Sequence, residues 1–351
     1  MMAATNTTTV LFPPRCGMCG KTENLLRCSR CKVMVYCNRE HQAAHREAHK
    51  SACNAVGKKR TILEAEEEKL RSHPGDFLTP ADVFNTSVGH FWGIWETRDY
   101  MRARYALVEA LGEIKTHDAV QTQLDHLMDM LRLCRGDNMG LRNLVPVVML
   151  RLNKDQECYD FVKWWNAMGS ESDYDWGNME LPYLDIKNAD AFEPVDYLWS
   201  DFPDLSRMVA ITLLKIKLLL DVIALENSAA TVGKKVPPEI LDAIQPHVAR
   251  SPIIAGNKAI LERKDHRAAI IDKLGAQVDR LYKAVDKTNR YFWPSLLKPG
   301  RHLTARPEAY SRGSMEEMQL MLQYSYDAWI ETPGAIEVIK AKVEGGQIYT
   351  S

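Results

Sequence analysis

The chain has 351 residues, a formal net charge of −1 and 46% hydrophobic residues, an ordinary globular composition at a length suited to two or three domains. Its most apolar run, residues 208–224, is interrupted by Lys215, Lys217 and Asp221, which is too short and too charged for a membrane span and reads as a buried helix. The opening MMAATNTTTV is neutral and lacks an apolar core, so it does not read as a secretory signal, and the thiols are expected in a reducing compartment, cytoplasmic or nuclear.

Residues 1–14 read as a flexible N-terminus. Cys16, Cys19, Cys28, Cys31, Cys37, His41, His49 and Cys53 then follow in the spacing C-x2-C-x8-C-x2-C-x5-C-x3-H-x7-H-x3-C, four ligand pairs and enough for two tetrahedral zinc ions. Only Cys134 and Cys158 lie outside this cluster. The stretch 39–48 is rich in helix formers and free of Gly and Pro. In a helix, His41 and His49 would stand about 12 Å apart along the axis, too far to share an ion with bonds of about 2.1 Å. The Cys37/His41 and His49/Cys53 pairs therefore serve different ions, and each borrows from the first two pairs. His45, between them, is a decoy expected at the surface or beside a ligand.

These residues resemble the MYND zinc finger: the Tyr36-Cys37 step, Gln42 directly after the sixth ligand, and the closing H-x3-C of His49 and Cys53. The resemblance implies Cys16, Cys19, Cys37 and His41 at one zinc and Cys28, Cys31, His49 and Cys53 at the other, with the finger over 15–56. His41 stands where the family usually has Cys, and imidazole is an ordinary zinc ligand. The resemblance also implies a peptide-binding surface at Gln42, but Arg46 occupies the position where peptide-binding members carry Trp. As a whole, the chain resembles fungal-type MYND proteins with a helical extension.

From Arg15 to Arg60, eleven Lys/Arg face three Glu. Six zinc-bound thiolates and two Zn2+ together carry −2, which leaves the finger near +6. A basic finger attracts phosphates, so nucleic-acid binding is the alternative to protein binding, but no helix offers base-reading side chains at the spacing of two-Cys, two-His fingers.

Residues 57–80 read as a charged helical connector (EAEEEKL at 64–70), closed by His73-Pro74-Gly75. Residues 81–351 read as a helical domain. Four apolar stripes lie within 97–168: Tyr100, Ala103, Leu107, Ala110, Leu111 and Ile114; Val120, Leu124, Leu127, Met128 and Leu131; Leu141, Leu144, Val145, Val148 and Leu152; Cys158, Phe161, Val162 and Trp165. Short breaks between them predict antiparallel hairpins that look tetratricopeptide-like, at a period nearer 39 than the usual 34. Pro146 should sit in the first turns of its helix or kink it. Of Trp164 and Trp165, one is expected in the core and the other at the surface.

Residues 169–204 carry ten carboxylates, one Lys and seven aromatics, and read as an ordered irregular loop with rings turned inward and acids outward; docking to a basic partner is the alternative. Further helices are expected over 205–226, 238–248, 258–290, 314–331 and 335–343. The fold class is all-α with a small two-zinc finger. No Asn-His methyl-donor motif, downstream Cys cluster, P-loop or nucleophile elbow is found, so the chain reads as a non-enzymatic protein-interaction adaptor rather than a divergent methyltransferase.

Overall fold

The computed structural model describes residues 11, 13–168, 174–199, 203–232 and 248–345. The chain divides into two compact units, one from Leu11–Val148 with Asp173–Tyr183, the other from Met149–Ser172 with Leu184–Ser351 among the described residues.

The first unit begins with the finger. Strands β1 (Leu26–Arg27) and β2 (Val35–Tyr36) pair antiparallel, Leu26 opposite Tyr36 and Arg27 opposite Val35. Helix α1 (Arg39–Ala44) starts at Asn38, whose side chain accepts the His41 amide at 2.8 Å, a short polar N-cap of the favoured kind. Helix α2 (Arg46–Arg71) follows after a break at His45. It runs straight through the expected finger–connector junction. Its buried residues are His49, Cys53, Val56, Leu63 and Leu70, so two zinc ligands and three aliphatic side chains form one continuous stripe, while the charged residues of 64–69 face largely outward. That stripe packs against α4 (Thr97–Gly112), which pairs in turn with α5 (His117–Leu133). The first two predicted stripes line this hairpin: Tyr100, Leu107 and Leu111 are buried on α4, and Val120, Leu124, Leu127 and Leu131 on α5. A short helix α3 (Val83–Thr86) precedes it, and Phe84 packs its ring on Phe91 and Tyr100.

The third predicted stripe is not one helix. A 3-10 turn (Leu141–Asn143) leads into α6 (Val145–Arg151), with Pro146 in the first turn, where a missing N–H costs nothing. The division between the two units falls inside this short helix.

In the second unit, α7 (Asp155–Met168) buries both Trp164 and Trp165, correcting the expectation of a surface partner. The indole of Trp164 donates to Asp185 at 3.0 Å, which removes the polar cost of full burial. Helix α8 (Leu205–Val232) extends past the expected end at 226 and is buried on nearly all sides. The three charges that interrupt its apolar run are buried too, and each holds a neighbouring segment. Lys215 donates to the carbonyls of Ala191 and Glu193, Lys217 pairs with Asp155 at 2.7 Å, and Asp221 accepts the amides of Arg250 and Ser251. No helix is long and apolar enough to cross a membrane among the described residues.

A short helix α9 (Pro252–Ala255) comes first, and the helix expected over 258–290 is interrupted at Arg263 into α10 (Lys258–Glu262) and α11 (Lys264–Thr288). Residues expected only to end it form α12 (Phe292–Leu297), with Pro294 again in a first turn. Helices α13 (Met315–Glu331) and α14 (Ala335–Val343) lie where the caps Ser314 and Gly334 place them. Most of the helix expected over 238–248 lies outside the described residues. Of the acidic loop, 174–199 and 203–204 are described: Tyr174, Trp176, Tyr183, Tyr197 and Trp199 are half-buried, and most carboxylates face outward. Glu193 is an exception, accepting from Tyr159 and Lys163. The described chain is mostly helical with one small two-stranded sheet, and the repeat character of its hairpins is not shown by this arrangement.

Candidate metal centre

Each C-x2-C pair is shaped by a tight backbone turn. The amide of Gly20 donates to the carbonyl of Cys16, and that of Lys32 to Cys28, with both residues at positive φ (74° and 63°). This curls the two sulfurs of each pair towards one point. The remaining ligands arrive from the other side: Cys37 after β2 and His41 on α1, His49 and Cys53 four residues apart on one face of α2.

Two clusters result. Cys16, Cys19, Cys37 and His41 form one and Cys28, Cys31, His49 and Cys53 the other, the ligating atoms of each lying within 4.8 Å of one another. Sγ of Cys19 lies 3.7 Å from that of Cys37, and Sγ of Cys28 lies 3.7 Å from that of Cys53. A tetrahedron with Zn–S bonds of about 2.3 Å has edges of about 3.8 Å, so these separations fit one zinc in each cluster. His41 turns Nδ1 inward, 3.1 Å from Cys37, and His49 turns Nε2 inward, 3.4 Å from Cys31.

The donor chemistry calls for a cation. Burial would raise the Cys16 thiol, but the amides of Cys19, Cys37 and Met18 bring it down to about 5. Burial, reinforced by neighbouring Cys28 and Cys31, pushes Cys53 up to about 12. Three sulfurs crowded this closely cannot all ionise unless a dication neutralises them, and zinc supplies that charge.

Residues 16–53 match the MYND finger family model. This segment is a MYND finger. It is 55% identical over 38 residues to Egl nine homolog 1 of Homo sapiens and 53% identical over 38 residues to that of Mus musculus, 11% of this chain in each case. The chain spans about a tenth of the length of these curated relatives, 9% and 10% respectively. No solved structure matches the chain.

His45 belongs to neither cluster. Its Nδ1 lies 3.0 Å from the Tyr36 hydroxyl, and its ring stacks on His49 at 5.9 Å between centroids, so it positions a ligand rather than acting as one. Gln42 is half-buried on α1, and Arg46, exposed, opens α2. Of His117, Asp118 and His126, the first two lie 4.0 Å apart while His126 has other partners, so the three form no common site. Asp118 lies 2.7 Å from Arg27 of the finger, and His126 accepts from Arg104 at 3.1 Å.

The Arg27–Asp118 pair belongs to a mounting that spacing alone does not reveal. Thr116 caps α5 and also donates from its hydroxyl to the carbonyl of Val33 at 2.8 Å, so the turn between α4 and α5 grips the finger hairpin. An Asp in a first helical turn is ordinarily read as a dipole partner, and nothing in the sequence points it at Arg27.

Proposed function

We propose that the chain is a protein-interaction adaptor without catalytic activity of its own, its finger presenting a surface around Gln42 and Arg46 to a protein or peptide partner. The observation that carries this reading is a complete two-zinc MYND finger gripped by the α4–α5 turn and continued by α2, which makes its surface a rigid platform. MYND fingers generally mediate protein contacts. Arg46 supplies a cation rather than an aromatic wall, so an acidic position in the partner suits it. The helical remainder, tetratricopeptide-like over 97–168 and of the fungal type in its combination with the finger, acts as scaffold. The working compartment is cytoplasmic or nuclear.

The test is quantitative affinity capture with the zinc-loaded full chain against its Gln42→Ala and Arg46→Ala variants, followed by calorimetry on a purified partner. The reading expects proteins that are lost with either variant and persist after nuclease treatment. Identical capture by all three proteins would sink it, and measurable affinity for a methyl donor would replace it with an enzyme.

A further inference from the structure

The second Cys turn and the middle of α2 line an open groove of about 670 Å³ that includes neither Gln42 nor Arg46. Four cations line it, Arg30, Lys32, Lys58 and Arg60, against a single carboxylate, Glu64. Among the described residues none of the four pairs with an acid within 4 Å. Arg60 uses one amine to hold the carbonyl of Cys31 at 3.2 Å, while its Nε is buried without a partner among the described residues. The zinc centre beneath, with three thiolates and one imidazole around Zn2+, contributes only −1, so the groove stays strongly positive.

Two local features suit the groove better than they suit the fold. Gly57 sits inside a helix of 26 residues, where only proline is a poorer choice. A Cβ there would come within 2.8 Å of Cγ and Nε of Arg30, so the glycine lets that side chain lie flat across α2. Lys32 holds φ 63°, a conformation that its counterpart in the first Cys turn fills with Gly20. In both places a locally disfavoured residue keeps a cation at the groove.

We infer that this groove captures the phosphate of a phosphorylated serine or threonine in a partner protein. A phosphomonoester brings about two negative charges and three acceptor oxygens, which a concave cluster of arginine and lysine satisfies, with Ser29 as a neutral donor beside it. A nucleic-acid strand fits less well, because the lining holds no aromatic ring on which a base could stack. The inference rests on the adaptor reading but needs no contribution from Gln42 or Arg46.

The test presents the zinc-loaded full chain with an immobilised degenerate phosphoserine peptide library, its unphosphorylated twin, and a short mixed-sequence duplex DNA. Retention on the phosphorylated library should exceed that on its twin by about tenfold or more. Arg30→Ala and Lys58→Ala should each weaken it about three- to tenfold while native mass spectrometry still finds two zinc ions. Gly57→Ala should weaken it as well, although it favours the helix, a combination that a purely structural role for Gly57 does not produce. Equal retention on both libraries, displacement by the duplex DNA at matched charge, or unchanged retention by the Arg30 variant would each overturn the proposal. Failure of the adaptor reading shows separately, as capture indifferent to Gln42 and Arg46.

Discussion

Three histidines spaced four apart, His41, His45 and His49, have three different tasks, and geometry separates them. His41 and His49 each complete a cluster through a different ring nitrogen, while His45 bridges from Tyr36 to the His49 ring. His45→Ala should therefore leave two zinc ions bound, whereas His41→Ala and His49→Ala should each weaken a single site. Native mass spectrometry of the three variants distinguishes these outcomes, and loss of a zinc from the His45 variant would contradict the assignment. A fourth histidine sets a pH dependence. Burial, with Arg104 and Arg60 nearby and Asp125 and Asp129 only partly compensating, lowers His126 from 6.5 to about 4 in the folded chain. The unfolded chain then binds the proton first, so the contribution of neutral His126 is complete above pH 6.5 and is lost as pH falls towards 4. Its size is about 3 kcal/mol at roughly 1.4 kcal/mol per unit. Urea titrations at pH 7 and pH 5 should show this loss in the parent chain and a shallower one in His126→Gln.

Among the elements, α2 shows what a sequence reveals and conceals. The metal ligands are legible because C-x2-C pairs followed by an H-x3-C step rarely occur together except around zinc. The α4 and α5 stripes are legible because their apolar positions recur every three or four residues over four turns. The buried face of α2 is not, since below Cys53 it has only Val56, Leu63 and Leu70, one side chain in two turns, among charges that suggest a solvated connector. Pro146 and Arg263 mark breaks that periodicity alone runs across, and the grip of Thr116 and Asp118 on the finger is a tertiary contact without a local signal. The narrow seam implies that each side chain in it matters. Leu63→Ala should cost about 2–4 kcal/mol by emptying a fully packed position, measured as a lower urea midpoint at unchanged slope. Ile62→Ala, one residue away and exposed, should change stability by less than about 0.5 kcal/mol.

Across the whole molecule, the buried stripe on α2 joins metal binding to helix packing within one unit. The finger buries few apolar side chains besides its ligands, chiefly Val33, Val35, Tyr36 and Val56, too few to order a segment of this size without a staple. Structural zinc supplies roughly 10–16 kcal/mol of apparent binding free energy in such fingers. His49 and Cys53 are the first two buried positions of α2, the helix that packs on α4, so losing the second zinc removes the fixed end of that helix. The unit built around α8 draws its core from Leu213, Leu214, Leu218, Leu281, Trp293 and Trp329, none of which approaches a zinc ligand in sequence. Calorimetry of the zinc-loaded chain should resolve two transitions. Chelation should move only one of them down, together with a partial loss of helical circular dichroism in which α2 takes part. The asymmetry between the clusters sharpens this expectation. Cys19 is exposed, whereas all four ligands of the second cluster are buried and two of them belong to α2. Cys53→Ser should thus lower the zinc-dependent transition further than Cys19→Ser, because it weakens the metal site and the α2 seam together. Equal effects from the two substitutions, or a shift of both transitions on chelation, would show that the seam does not couple metal to helix in this way.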